Sequence, residues 1–210
     1  MLRQGDKDEQ ALERLEIYTL RIEQYVEAMS SIQRLEQMPV CRKMVNSSLL
    51  REELWETARL LAPPHEISVT VQDSADMELD HGLFLTVAEN LIGNAARFAE
   101  KKIEISLRIS SQINQTADGS RLILSVSDDG LGYPAEMLKI GPQPFGRKDE
   151  DNAHFGMGLY SSQMLCIKHG GELLLENREE GGAVATASFL CTRAPRGSMS
   201  AGADGCPAHE

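Results

Sequence analysis

The chain has 210 residues, 41% hydrophobic and 25% charged, ordinary values for a globular domain, with no collagen-like, mucin-like or disordered bias. Its 21 Lys and Arg against 32 Asp and Glu give a net charge of −11, which repels a nucleic-acid backbone, so no nucleic-acid partner is expected. No apolar run approaches the roughly 20 residues that span a bilayer, and the opening Met1-Leu-Arg-Gln-Gly-Asp-Lys-Asp8 lacks a signal peptide's apolar core. A cytoplasmic location and no membrane segment in this chain are the expectations. The four cysteines, Cys41, Cys166, Cys191 and Cys206, fall in no C-x-x-C pair, which argues against a zinc site or a disulfide framework and predicts reduced thiols.

In chain order, Leu12, Leu15, Tyr18, Ile22, Tyr25, Val26, Met29, Ile32 and Leu35 recur every three or four positions and predict a long amphipathic helix over residues 8–38. No equally long partner follows, so this helix needs the next domain or a second copy of itself to cover its stripe. Pro39 stops it, and a second helix is predicted over 47–61, ending at Ala62-Pro63-Pro64. Residues 67–71 alternate as a strand, and 81–99 read as a helix with Leu83, Val87, Leu91, Ile92, Ala95 and Phe98 facing inward. Strands follow at 103–109 and 122–126, joined by a long polar hairpin connection over 110–120. Residues 128–158 are rich in Gly, Pro and charge with little periodicity, a length expected only of a functional loop. A helix over 157–169, a strand pair at 172–176 and 183–190, and a Gly, Ser, Ala and Pro tail complete the reading.

Three segments carry chemistry. The helix Glu89 to Ala99 puts Asn90, Asn94 and Arg97 on one face at i, i+4 and i+7. Amide oxygens are hard ligands suited to Mg²⁺, and a guanidinium offers phosphate a planar donor fork. On this helix alone, two amides facing water explain the pattern equally well. Val126-Ser-Asp-Asp-Gly-Leu-Gly-Tyr-Pro134 then runs a strand into Asp128, Gly130 and Gly132, where a carboxylate can accept from an exocyclic amine and glycines admit a ligand, although Asp-Gly is most often a plain turn. In His154-Phe-Gly-Met-Gly-Leu-Tyr160, Gly156 and Gly158 flank a helix start, where backbone N–H groups favour phosphate. A tight turn explains this segment as well, and the order of the three decides between the readings.

In that order the segments resemble the ATP-binding catalytic domain of sensor histidine kinases, a family sharing its fold with DNA gyrase, MutL and the heat-shock ATPase chaperones. Asn90-Leu-Ile-Gly-Asn94-Ala-Ala-Arg97-Phe98 looks like its N box and Asp128-Asp-Gly130-Leu-Gly132 like its G1 box. Pro144-Phe145-Gly-Arg147 looks like its F box and Gly156-Met157-Gly158-Leu159 like its G2 box. The resemblance covers residues 47–190. It implies an α+β fold: a two-layer α/β sandwich, its mixed sheet covered by helices on one face, preceded by the long amphipathic helix. It implies three regions: 1–40, the second helix of a dimerisation and phosphotransfer hairpin; 41–192, the ATP-binding catalytic domain; 193–210, a disordered tail.

Carried over by position, the resemblance implies that Asn94 coordinates Mg²⁺ and Asn90 lies near metal and γ-phosphate. Arg97 stands where the family usually has a phosphate-contacting Lys, and Phe98 lines the adenine side. Asp128 accepts from the adenine amine, and Gly130 and Gly132 shape the pocket wall. Gly156, Met157, Gly158 and Leu159 form the hinge of a lid, and Arg147 and Lys148 add charge there. The implied ligands are ATP and Mg²⁺. The implied partners are a phosphoacceptor His helix, a response regulator and a second copy through residues 10–38, and the cytosolic part of a membrane-anchored receptor is one compatible setting.

The chain departs from the family in lacking a His followed by an acidic residue on a first hairpin helix. His65 follows Pro-Pro, His81 opens a helix, His154 lies in the expected lid, His169 ends a helix and His209 sits in the tail. The expectation is a protein histidine kinase fragment whose acceptor His lies elsewhere. Two alternatives stay open: a serine kinase of the anti-sigma-factor type, and a degenerate nucleotide-binding or scaffolding module.

Overall fold

The computed structural model describes residues 37–111, 120–144 and 157–194, with residues 15, 18, 19, 22, 23, 26, 29, 30 and 33–35 of the leading segment. The described residues between 15 and 37 are helical (α1), as the periodicity predicts. Leu15, Tyr18, Ile22, Val26 and Met29 are exposed, while Leu35, Met38 and Val40 pack on the core. Lys168 Nζ donates to the Leu35 carbonyl and ties the end of α1 to the rest of the fold.

Three helices follow the apolar spacing, and side-chain caps start two of them. In α2 (Ser47–Leu61) the side chain of Asn46 accepts from Ser48 N at 2.8 Å, and Leu50, Leu54 and Ala58 are buried. In α3 (His81–Phe98) Asp80 Oδ1 accepts from Leu83 N at 3.1 Å, and Leu83, Val87, Leu91, Ile92 and Ala95 face the core. Phe98, expected inward, is only half-buried at the open end of α3. In α5 (Met157–Lys168) Leu159, Leu165 and Cys166 are buried. A short α4 (Ala135–Ile140) follows Pro134.

The strands are β1 (Lys43–Asn46), β2 (Glu66–Val71), β3 (Asp76–Leu79), β4 (Lys102–Ser111), β5 (Ser120–Asp128), β6 (Leu173–Asn177) and β7 (Ala183–Arg193). They form one mixed seven-stranded sheet in the order β1-β3-β7-β5-β4-β2, with β6 also paired to β7. β2 runs parallel to β4, with Ile67 opposite Ile103, because the connection between them crosses through β3 and α3; the other pairs are antiparallel. In the β4–β5 pair Ile105 faces Val126 and Leu107 faces Leu124, so one side is apolar. α2, α3 and α5 pack on that side, and Phe84 meets Phe189 edge-on at 5.4 Å between layers. This is the expected α+β sandwich of mixed sheet and helices.

The sequence reading misses β1, β3 and α4, which are too short to carry a period: four residues each for the strands and six for the helix. Cys166 and Cys191 are buried free thiols, but Cys41 is disulfide-bonded, which corrects the expectation of four reduced thiols. Most of the connection expected over 110–120, and the tail from residue 195, lie outside the described residues. Among the described residues, no helix is long and apolar enough to cross a membrane.

Candidate nucleotide site

Burial of one face of α3 leaves Asn90, Asn94 and Arg97 in a row along the edge of that face, with the two amides half-buried and Arg97 exposed. Asn90 Nδ2 donates to Ser161 Oγ at 3.4 Å, and that hydroxyl donates to the Gly158 carbonyl at 3.0 Å. A Cβ at Gly158 would lie 3.4 Å from Asn90 Oδ1, so the start of α5 passes directly over this amide. Asn94 Nδ2 donates to Tyr133 Oη at 3.5 Å. The Arg97 guanidinium lies 6.0 Å from the centroid of the Phe98 ring.

The end of β5 supplies the opposite wall. Asp128 is 3% exposed, and its Oδ1 accepts from Gly130 N at 2.9 Å and Ala183 N at 3.3 Å. Such bonds make a buried carboxylate tolerable. Gly130 is obligatory, since a Cβ there would stand 1.9 Å from the Phe98 carbonyl oxygen, so the loop touches the end of α3 backbone to backbone. Asp129 Oδ1 accepts from the backbone N–H groups of Glu100, Lys101 and Lys102 at 2.9, 3.0 and 3.0 Å. The Lys101 and Lys102 N–H groups, with Glu100's help, hold its carboxyl below the usual 3.8. Gly132 has φ +82°, and a Cβ there would meet the Asn177 side chain at 2.8 Å. Asn177 Oδ1 in turn accepts from Tyr133 N at 2.6 Å, while its Nδ2 donates to Tyr133 O at 2.9 Å. Burial, and secondarily the Asp128 charge, push the Tyr133 phenol far above its usual 10.0, so it stays protonated.

The structure therefore links Asn90 to Gly158 through Ser161, and Asn94 through Tyr133 to the loop that holds Asp128, Gly130 and Gly132. Met157 is half-buried at the start of α5, whereas the Leu159 side chain belongs to the core. Arg147, Lys148, Phe145 and Gly156 lie outside the described residues. Sequence reading missed three contributors: Asp129, which staples the α3–β4 turn, and Tyr133 and Asn177, which lock the loop. Only the first left a trace, as an acidic neighbour of Asp128. Among the described residues, no group of three His, Cys, Asp or Glu could hold a metal. The donors that fit a divalent cation are instead amide oxygens, and at Asn94 the amide nitrogen is already turned toward Tyr133. Hard neutral oxygens, few in number, suit Mg²⁺ retaining waters and phosphate oxygens.

Residues 80–193 match the family described as histidine kinase-, DNA gyrase B- and HSP90-like ATPase. Sensor histidine kinase AruS of Pseudomonas aeruginosa is 29% identical over 215 residues, covering 94% of this chain and 21% of AruS. Sensor protein RstB of Escherichia coli is 26% identical over 196 residues, covering 78% of this chain and 43% of RstB. Full-length ShkA, solved in complex with AMPPNP, shares the fold with a TM-score of 0.65 at 22% identity, over 88% of this chain and 38% of ShkA. The chain thus spans about a fifth of AruS and under half of RstB. It belongs to the histidine kinase-, DNA gyrase B- and HSP90-like ATPase family and carries the ATP-binding catalytic domain of the sensor histidine kinases.

Proposed function

We propose that this chain binds Mg-ATP between α3, the Asp128–Tyr133 loop and the start of α5, and donates the γ-phosphoryl group to a His on a separate helix. The observation that carries the reading is Asp128: a buried carboxylate whose Oδ1 is fixed by two N–H groups, at the end of β5 and near Tyr133, whose hydroxyl takes the Asn94 N–H. With Oδ1 so engaged, Oδ2 is the acceptor for the exocyclic amine of adenine. Asn94 Oδ1 would hold Mg²⁺, with Asn90 alongside, and exposed Arg97 would meet phosphate oxygens. The chemistry Mg²⁺ supplies when bound is neutralisation of phosphate charge. Phosphoryl transfer then depends on positioning, which the rigid α3 face and the glycine-lined loop provide.

His65, though followed by Glu66, enters β2 with its Nε2 3.4 Å from the Ala99 carbonyl, and is no helical phosphoacceptor. The acceptor and a response regulator are therefore partners in trans or in a longer chain, and this chain alone would only hydrolyse ATP slowly. The exposed stripe from Leu15 to Met29 supports pairing with a second copy, and this helix disfavours the serine-kinase alternative.

The test is thermal unfolding with and without a Mg-ATP analogue at 100 times its Kd, where binding adds about 2.7 kcal/mol of stability. The wild type is expected to shift and Asp128→Ala to show no shift. A wild type unmoved by millimolar nucleotide overturns the proposal in favour of a degenerate scaffolding module.

A further inference from the structure

Two residues that lock the loop also form a chain that ends on Asn94. Asn177, the last residue of β6, pairs its amide with both main-chain polar atoms of Tyr133, at 2.6 and 2.9 Å, and fills the space that a Cβ on Gly132 would need. Tyr133, held in this way, points its hydroxyl at Asn94 Nδ2. A primary amide has two nearly isosteric ends, and only its oxygen can ligate a cation. A phenolic oxygen accepts through its lone pairs, and here it takes the Asn94 N–H at 3.5 Å.

We infer that Tyr133 and Asn177 are positioning residues for the Asn94 amide: Asn177 fixes the Tyr133 main chain, and the Tyr133 hydroxyl engages Nδ2 so that Oδ1 faces the metal. This rests on the Mg-ATP reading and adds the outer groups that orient the ligand. Outer partners of this kind orient metal ligands generally, and their loss typically weakens metal affinity about 10–100-fold.

The experiment measures affinity for a fluorescent ATP analogue across Mg²⁺ concentrations and in excess EDTA, for the full chain, Tyr133→Phe and Asn177→Ala. Wild type is expected to bind more tightly as Mg²⁺ rises. Both variants should need on the order of tenfold more Mg²⁺ for half of that gain, with affinity in EDTA unchanged. A Mg²⁺ requirement in Tyr133→Phe equal to that of wild type overturns the inference. So does a loss in EDTA as large as the loss in Mg²⁺, because it marks a merely structural role. Should Asn177→Ala fail to fold by circular dichroism, Tyr133→Phe decides alone, since it keeps the ring and removes only the hydroxyl. A wild type with no Mg²⁺-dependent gain instead overturns the underlying reading of the site, which separates the two failures.

Discussion

Gly130 and Gly93 lie at the two ends of what a single methyl group can do in this site. At Gly130 an added Cβ would sit 1.9 Å from the carbonyl oxygen of Phe98, a backbone atom that cannot swing aside. Gly130→Ala must push the loop off α3 and is expected to destabilise by about 1–3 kcal/mol and weaken nucleotide binding, read from urea unfolding and analogue titration. At Gly93, inside α3, the nearest obstacle to a Cβ is Leu61 Cδ1 at 4.0 Å. Gly93→Ala lowers the entropy of the unfolded chain with no clash, so the stability read from the same urea unfolding should rise by about 0.4–1 kcal/mol. A fall in Gly93→Ala, or no change in Gly130→Ala, would contradict this account of the loop. Asn90, Asn94 and Asp128 were legible as site residues because their chemistry is local to one helix face and one strand end. Asp129 was not, because its role depends on three N–H groups at residues 100–102, across a strand pair.

At the scale of elements, His169 joins three of them. Its Nε2 accepts from Asp80 N at 2.9 Å at the cap of α3, its carbonyl accepts from Leu190 N at 3.1 Å on β7, and its ring lies edge-on to Phe189 at 5.6 Å. Burial, reinforced by the Arg42 charge against the pull of Asp80, holds the imidazole below its usual 6.5. The native state therefore binds this proton less readily than the unfolded chain does. Its contribution is complete above 6.5 and is lost as the pH falls below that value toward the native one. Urea midpoints should drop between pH 7.5 and pH 5.5, and the drop should be smaller in His169→Gln, which keeps an acceptor for Asp80 without an ionising ring. Equal slopes would remove His169 from the acid response. The long elements that meet here were legible from their apolar periods. β1 and β3 were not, since strands of four residues pair through the register Val45 opposite Met77, which no local pattern encodes.

The whole molecule presents a folded ATP-binding domain beside a helix whose apolar residues face outward: Leu15 is 61% exposed and Ile22 64%. A stripe at this spacing is covered by a second stripe. The chain is expected to sediment as a dimer at tens of micromolar, and Ile22→Lys with Val26→Lys should return it to monomer while the nucleotide-induced thermal shift is retained. A monomeric wild type would end the pairing proposal. The sequence by itself determined the long helices, the longer strands, the α+β class and the order of the nucleotide motifs, because apolar period and motif spacing are properties of contiguous residues. The tertiary structure alone decided which atoms meet: Tyr133 with Asn94 and Asn177, Asp129 with the α3–β4 turn, and Gly130 with Phe98. Those partners lie tens of residues apart, and only the sheet register and the packing of α3 bring them within hydrogen-bond reach.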